Sequence, residues 1–375
     1  MGRRGWILLP LLSLLTIVLT LGALEVTGTL LFPRGPKDLL SCMVSDSAGV
    51  RGIPNSACFE KVAEGPTVEY KFNACGDRAG MDCGPKPRDT LRVVTVGSSF
   101  VFGYGVKAEN TWTALLPAKL SEKAGRKVEV YNAGMYFGFP PKLALRFHET
   151  LARKPDVIVW VITSLDVANP PVPEFGALRI TVSEGASKGR VRVAWNRLQA
   201  AFANQSTSEA LLALWGQTRS ALLVQHVLFA SQSQFVRSSL LRGDDSLKAQ
   251  PSEQWQGQLR QFDRYAADVE ARATAAGVPF VALLLPSREQ AAIVSMGDWP
   301  AGIDPYKLDR DLRSIITSHG GTYVDLLPRF HDIANPERYY FPVDGHLNAA
   351  GHRMVADLLS EPLVNAVTAA TPARP

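Results

Sequence analysis

The chain has 375 residues, of which 46% are hydrophobic and 20% charged, and this composition excludes wholesale disorder. Its 40 basic and 35 acidic residues give a net charge of +5 without a basic block, so nucleic acid is not an expected partner. The absence of a repeat of fixed period argues against solenoids and propellers. The length is typical of one large domain with an insertion, or of two domains.

An apolar segment near the amino terminus, from Trp6 to Leu24, approaches the ~20 residues needed to span a bilayer. Arg3 and Arg4 precede it, as in a signal sequence or a signal anchor. A cleaved signal peptide is the alternative, but such a signal usually has a shorter apolar stretch. We therefore predict an uncleaved transmembrane anchor within residues 1–32.

All four cysteines of the chain follow this segment closely: Cys42, Cys58, Cys75 and Cys83. An even number in a loop-rich stretch predicts two disulfide bonds, with three possible pairings. A zinc site is the alternative, but the Cys-x-x-Cys spacing that zinc sites favour is absent from the sequence. Disulfides persist in oxidising compartments. We therefore predict a single-pass protein of the cytoplasmic (inner) membrane, with its main domain in the periplasm or outside the cell.

Residues 33–90 are rich in glycine, proline and aspartate, and they predict an irregular lead-in. From Leu91 onward, short apolar runs alternate with helical patterns. The predicted strands are 91–97, 128–134, 156–162, 279–286 and 321–327, and the predicted helices are 111–123 (with Asn110 as N-cap), 142–153, 254–276, 306–318 and 349–359. Such alternation predicts an α/β fold with a parallel sheet covered by helices on both faces. Sheets of this kind bind ligands at the carboxyl ends of their strands.

Residues 169–250 break this alternation and begin with several prolines. Two helical stretches are predicted there, 194–204 and 208–241, the second of which is amphipathic. We interpret this segment as a helical insertion that packs on the main domain; a lid or a membrane-apposed helix beside an active site is the alternative. Residues 91–168 and 251–365 then form the main domain, and residues 366–375 form a flexible tail.

A pair of serines follows the first predicted strand, in the run GSSFVFG (97–103). A serine at a strand-to-helix turn can be exposed as a nucleophile, which makes Ser99 a candidate. The run GYGVKA (103–108) also fits a loose dinucleotide-binding pattern. Its glycines lie well past the strand end, however, and the second strand closes on Asn132 where that pattern requires an acidic residue. We therefore predict no cofactor.

Asp344 and His346 precede the last predicted helix. Histidine is the usual general base for a serine, and an aspartate can hold the imidazole in the required tautomer. Gly134 follows the second strand, where its backbone N–H could stabilise an oxyanion; an ordinary turn glycine is the alternative. The other histidines indicate no site by themselves: His148, His226, His319, His331 and His352. We predict no metal, because no ligand cluster accompanies the histidines at 346 and 352.

These blocks together resemble the SGNH/GDSL hydrolase superfamily, over roughly residues 91–166 and 279–360. The family's first block reads Gly-Asp-Ser, which the run GSS (97–99) matches with serine in place of aspartate. The stretch YKFNACGDRAG (70–80) also looks like the one that precedes this block in some bacterial members. The resemblance implies a flavodoxin-like three-layer α/β/α fold. It also implies four site residues: the nucleophile and first oxyanion donor Ser99, the second donor Gly134, the acid Asp344 and the base His346.

Two positions depart from the family pattern. The third block of the family is Gly-x-Asn-Asp, and the aligned residues in this chain are Thr163-Ser164-Leu165-Asp166. Leu165 therefore stands where the family's oxyanion-hole asparagine would be, and Ser164 and Asn169 are candidate substitutes. The final aspartate and histidine are two positions apart, where many members have three. The shorter spacing occurs among related polysaccharide O-acetyltransferases.

The resemblance implies a serine-dependent ester hydrolase that forms an acyl-enzyme on Ser99 outside the cytoplasm. Its expected substrate is an acylated carbohydrate or lipid, and the N-terminal helix is its expected contact with the membrane. One alternative is an O-acyltransferase of cell-surface polysaccharide, in which a sugar hydroxyl intercepts the same acyl-enzyme. The other is a catalytically inactive glycan-binding or scaffold protein, which Ser98 and Leu165 favour and the intact candidate triad opposes.

Overall fold

The computed structural model describes residues 3–46, 49–169 and 215–370. The chain divides into two units: residues 1–35 with 176–231, and residues 36–175 with 232–375. The predicted helix 194–204 lies outside the described residues, as does the predicted helix 208–241 before residue 215.

Strands and helices are numbered separately along the chain. The strands are β1 (Met43–Asp46), β2 (Gly49–Gly52), β3 (Ala57–Lys61), β4 (Thr67–Lys71), β5 (Leu91–Gly97), β6 (Val128–Asn132), β7 (Val157–Ile162), β8 (Phe280–Leu284) and β9 (Thr322–Val324). The helices are α1 (Arg3–Leu31), α2 (Ser99–Phe102), α3 (Trp112–Ala124), α4 (Pro140–Ala152), α5 (Ser164–Ala168), α6 (Arg219–Leu228), α7 (Gln232–Arg242), α8 (Glu253–Ala275), α9 (Arg288–Met296), α10 (Lys307–Ser318) and α11 (Ala349–Ala370).

The smaller unit contains α1 and α6. Residues Leu8–Leu31 of α1 are long and apolar enough to cross a membrane, a property that an anchor and a signal sequence share. Helix α6 packs beside α1, where the Glu25 carboxylate accepts hydrogen bonds from the backbone N–H (2.8 Å) and hydroxyl (3.0 Å) of Ser220. A Cβ on Gly28 would lie 2.4 Å from the Arg219 carbonyl oxygen, so glycine permits this close approach.

The larger unit is built on a five-stranded parallel sheet in the order β6-β5-β7-β8-β9. Every residue of β5, β7 and β8 is buried, as expected for central strands of a sheet covered on both faces. Helix α8 packs against α4 and α10, and α3 packs against α11. The predicted α/β fold with a parallel sheet and flanking helices is confirmed.

Several predicted element bounds were wrong. Asn110 ends a short 3₁₀ turn, and the N-cap of α3 is instead Thr111, whose hydroxyl oxygen accepts the Ala114 N–H at 3.3 Å. The described part of the predicted helix 208–241 is broken between α6 and α7. Helix α9 was not predicted, and α11 continues to Ala370 through Pro362.

The lead-in is more regular than its composition predicts. It contains two antiparallel hairpins, β1–β2 and β3–β4. Disulfide bonds join Cys42 to Cys58 and Cys75 to Cys83. Buried apolar side chains of the lead-in share one cluster with Phe102 and Phe341 of the main domain, and the partly buried Tyr104 and Tyr136 pack against it. The lead-in therefore packs directly against the segments that carry the candidate active site.

Candidate active site

Ser99 begins α2 immediately beyond the carboxyl end of β5. The turn between them requires Gly97, whose φ is 149° and where a Cβ would lie 2.6 Å from the Val161 carbonyl oxygen. Val161 is the partner of Gly97 on β7, so the central strands of the sheet set the position of the serine.

The structure brings together the three candidate residues of the triad. The Ser99 Oγ lies 2.7 Å from His346 Nε2, and His346 Nδ1 lies 2.7 Å from Asp344 Oδ1. Because the ionised carboxylate can only accept, this network assigns the proton of neutral His346 to Nδ1 and leaves Nε2 to accept from the serine hydroxyl. Burial would raise the pKa of Asp344, but the hydrogen bonds that Asp344 accepts from His346 and its electrostatic attraction to that residue outweigh burial and lower this pKa below its usual value.

Aromatic rings flank the histidine. The ring centroids of Phe100 and Tyr104 lie 4.8 and 4.9 Å from that of His346, and Tyr104 stacks on Tyr136 at 5.2 Å. The Tyr104 hydroxyl donates to Glu60 Oε1 at 3.2 Å, and burial raises the pKa of the Glu60 carboxyl. Sequence reasoning missed Glu60 and the tyrosines, because they carry no motif and lie on three separate segments.

The predicted oxyanion donors differ in their surroundings. The Ser99 N–H stands at the first position of α2, and no acceptor for it is seen within the described part of the chain. The Gly134 N–H, by contrast, donates to Asn132 Oδ1 at 2.9 Å. A Cβ on Gly134 would lie 2.4 Å from the Phe102 nitrogen. The structure therefore explains this glycine by close packing on α2, and its N–H is already bonded.

The third block forms the start of α5. Asp166 turns inward, and its Oδ2 accepts both the backbone N–H and the hydroxyl of Thr163 at 2.7 Å. Leu165 is 44% exposed. The candidate substitutes Ser164 and Asn169 begin and cap this helix, and in the described segments no hydrogen bond joins either of them to the triad. The Asn169 N–H donates to the Leu165 carbonyl at 2.8 Å.

His352 is a structural residue. It is buried, and its Nδ1 accepts the Trp112 N–H at 3.1 Å. Burial lowers its pKa to about 3, so the ring is neutral at physiological pH. Within residues 3–46, 49–169 and 215–370, no group of three or more His, Cys, Asp or Glu side chains could hold a metal ion.

Comparison with protein families decides the affiliation. The model of the GDSL-like lipase/acylhydrolase family matches residues 95–354, a range that contains the serine, aspartate and histidine described above. The chain belongs to this family. No curated protein sequence matches the chain.

Several solved structures are similar to this chain at low sequence identity. They include LAE5, an alpha/beta hydrolase enzyme from the metagenome of Lake Arreo (14% identity, TM-score 0.39). The match covers 74% of this chain and 96% of the LAE5 chain. TesA has the same identity and TM-score (14% and 0.39) and covers 74% of this chain and 99% of its own. An acetyl xylan esterase from Geobacillus stearothermophilus has 10% identity and a TM-score of 0.35, covering 74% of this chain and 94% of its own.

Proposed function

We propose that this GDSL-family chain is a serine-dependent esterase that forms an acyl-enzyme on Ser99. One observation carries the proposal: the Ser99 hydroxyl lies 2.7 Å from His346 Nε2, while the other ring nitrogen of His346 bonds to Asp344. A nucleophile within hydrogen-bond reach of a base, which a third group orients, is the arrangement that nucleophilic catalysis requires.

The reaction follows from these contacts. Ser99 Oγ attacks the acyl carbon of the ester as His346 Nε2 takes the hydroxyl proton, and Asp344 stabilises the imidazolium that forms. The imidazolium then protonates the leaving alcohol, and the acyl group stays on Ser99. Water attacks this acyl-enzyme with His346 again as base, which releases the acid and restores the serine.

The oxyanion hole limits the rate in this proposal. The Ser99 N–H is available, but a leucine side chain at position 165 cannot donate a hydrogen bond. Losing one donor typically costs ~10²–10³ in rate. We therefore expect slow hydrolysis of small activated esters, with remote contacts of the natural substrate supplying binding energy that small esters lack.

The proposed substrate is an acyl group on carbohydrate or lipid outside the cytoplasm. Two features support this location: the apolar helix α1 and the disulfide bonds, which persist in oxidising compartments. Acyl transfer to a sugar hydroxyl would use the same acyl-enzyme, with the sugar in place of water. Product analysis with and without a glycan acceptor separates hydrolysis from transfer.

A second candidate function is that of a catalytically inactive glycan-binding or scaffold protein. It is favoured by Leu165 in the third block and by the internal hydrogen bond of the Gly134 N–H. The two candidates differ in one measurable property, the reactivity of Ser99.

Fluorophosphonate labelling of the detergent-solubilised full chain tests the proposal. We expect the label on Ser99, loss of labelling and of 4-nitrophenyl acetate hydrolysis in Ser99→Ala, and retention of both in the matched control Ser98→Ala, which alters the neighbouring buried hydroxyl. His346→Ala should abolish turnover as fully as Ser99→Ala, and the double mutant should lose little more. A folded wild-type chain that neither labels nor hydrolyses esters would support the binding function.

A further inference from the structure

The candidate acid and base share one short loop, residues 341–346, which we call the base loop. Two backbone hydrogen bonds close it: the Phe341 N–H donates to the His346 carbonyl (2.7 Å), and the Gly345 N–H donates to the Phe341 carbonyl (2.9 Å). The N–H groups of Val343 and Asp344, at the tip of the loop, are bound from outside it. Their acceptor lies in the lead-in.

That acceptor is Glu64, in the turn between β3 and β4. Its Oε1 and Oε2 accept the Val343 N–H at 2.9 and 3.0 Å, and its Oε2 accepts the Asp344 N–H at 2.6 Å. The turn lies directly on the base loop, because a Cβ on Gly65 would be 2.9 Å from the Phe341 ring. One carboxylate therefore holds two consecutive peptide groups, including that of Asp344.

A carboxylate is a strong anchor for this purpose. Hydrogen bonds to an ionised acceptor are shorter and roughly twice as strong as neutral ones. Two adjacent peptide N–H groups held by one carboxylate fix both the position and the rotation of the peptide between them. The Asp344 side chain, which must be oriented to accept the hydrogen bond from His346 Nδ1, is attached to the backbone next to this peptide group. Glu64 thus acts on the imidazole through the backbone of Asp344.

The lead-in also binds the backbone of the segment that carries the candidate nucleophile. The Arg78 guanidinium donates from Nη1 to the carbonyls of Phe102 (2.9 Å) and Gly103 (2.6 Å), and from Nη2 to that of Val106 (2.6 Å). These carbonyls belong to the last residue of the short helix that Ser99 begins and to the loop that follows it. Arg78 is 3% exposed, packs on the Tyr70 ring at 4.4 Å, and lies inside the loop closed by the Cys75–Cys83 disulfide.

A buried guanidinium without a carboxylate partner is costly unless its donors are satisfied. Burial lowers the pKa of Arg78 to about 10, which still leaves it charged at neutral pH. The three carbonyls that accept from its Nη1 and Nη2 all belong to residues 102–106, whereas its buried Nε has no hydrogen-bond partner in the described part of the chain. The cation is therefore tied to one loop of the candidate site.

Building on the proposed esterase function, we propose that Glu64 and Arg78 are positioning residues of the reaction. Glu64 holds Asp344 in the orientation that His346 requires, and Arg78 holds the helix that presents Ser99. Through these two residues, the disulfide-bonded lead-in helps to set the geometry of the active site.

The test of Glu64 is a double-mutant cycle on the full chain. We expect Glu64→Ala to lower kcat by on the order of tenfold to a hundredfold, as for other small misplacements of catalytic groups, with KM unchanged. Glu64→Gln keeps a carbonyl acceptor and should recover part of the rate. Because Glu64 acts through Asp344, the variant Glu64→Ala/Asp344→Ala should be no slower than Asp344→Ala alone. Glu69→Ala is the matched control, since Glu69 lies in the same hairpin and forms a surface ion pair with Lys71.

Three outcomes would overturn the role of Glu64. One is a folded Glu64→Ala variant that turns over substrate as fast as Glu69→Ala does. Another is a Glu64→Ala/Asp344→Ala double mutant whose loss of kcat equals the product of the two single losses. Should Glu64→Ala fail to fold, the third is a wild-type kcat in a folded Glu64→Met variant, which keeps the length of the side chain and removes both acceptor oxygens. Failure of the esterase proposal is a different result, because the wild-type chain itself would then neither label at Ser99 nor hydrolyse esters.

Arg78 is tested by the rate at which Ser99 reacts with fluorophosphonate. We expect Arg78→Met, which keeps the length and removes the donors, to lower this rate at least about tenfold, and Arg78→Lys to recover part of it. Arg88→Met is the matched control, because Arg88 is exposed and lies beyond the disulfide loop. Equal labelling rates in folded Arg78→Met, Arg88→Met and wild-type chains would refute the role of Arg78.

Discussion

Asp344 and His346 are only two positions apart, yet Asp344 Oδ1 lies 2.7 Å from His346 Nδ1. The residue between them explains this, because Gly345 has a φ of 83° and turns the chain so that both side chains face each other. The same carboxylate oxygen also accepts the His346 backbone N–H at 3.2 Å. The short Asp-x-His spacing is therefore compatible with an oriented imidazole when the middle residue is glycine.

Replacement of this glycine gives the first prediction. A side chain in the left-handed region costs about 1–2 kcal/mol, although a Cβ at position 345 would meet no atom within 4 Å. We expect Gly345→Ala to lower esterase turnover at least about tenfold by moving the carboxylate off the imidazole. Gly302→Ala is the control, because Gly302 has a φ of 88° and equally open surroundings, and lies in the loop between α9 and α10. Similar turnover in the two variants, measured with 4-nitrophenyl acetate, would show that the backbone of Gly345 does not matter for the reaction.

The second prediction concerns Leu165. Supplying a side-chain amide at this position should raise ester turnover about tenfold or more, because one oxyanion donor is typically worth ~10²–10³. We therefore expect Leu165→Asn to be faster than wild type. Leu165→Ala removes the leucine without adding a donor and serves as the comparison. If the asparagine variant labels at Ser99 but turns over no faster than the alanine variant, position 165 does not face the oxyanion.

The third prediction concerns Asp166 and pH. Burial raises the pKa of this carboxyl to about 7, against an unfolded value of about 3.9. Between these two values the folded chain holds a proton that the unfolded chain has lost, so the free energy of unfolding falls as pH rises through this window. We expect Asp166→Asn to unfold at a higher temperature than wild type at pH 8 and to lose most of this difference at pH 4. The exposed aspartate of Asp82→Asn provides the control. A stability difference that is the same at both pH values would contradict the assignment.

The fourth prediction concerns topology. If α1 is an anchor that leaves the main domain outside the cytoplasm, a reporter fused to the carboxyl terminus is active only in the extracytoplasmic compartment. Thiol-specific labelling of the unreduced chain should find no free thiol, because both cysteine pairs are bonded. A reporter active in the cytoplasm would reject the topology, and four reactive thiols would reject the disulfides.

The sheet was predictable because buried parallel strands are continuous apolar runs. The runs LRVVTVG and VIVWVI end at the residues where β5 and β7 end. The hairpins of the lead-in were missed, since strands of four or five residues, interrupted by cysteine and glycine, leave no clear alternation. Helix α9 was missed because it is short and directly follows a strand.

The candidate site was predictable only where side-chain chemistry marks it. The sequence places Ser99 after a strand and Asp344 and His346 before a helix, and these are the residue types of a catalytic triad. The structure brings the three side chains within hydrogen-bond distance. Their catalytic roles stay predictions. Glu64 and Arg78 bind backbone N–H and carbonyl groups, which every peptide offers, so no pattern of residue types reveals these partners. The sequence likewise does not reveal that the Asn132 side chain accepts the Gly134 N–H.

The contact between Ser99 and His346 joins residues 247 positions apart. A ribosome adding ~5–20 residues per second needs roughly 12–50 s to pass from the codon of the serine to that of the histidine. During this interval the nascent chain carries a hydroxyl without its base, whatever else has folded. A product of premature termination anywhere in that stretch likewise lacks the base, so the proposed hydrolytic capacity arises only when synthesis is almost finished.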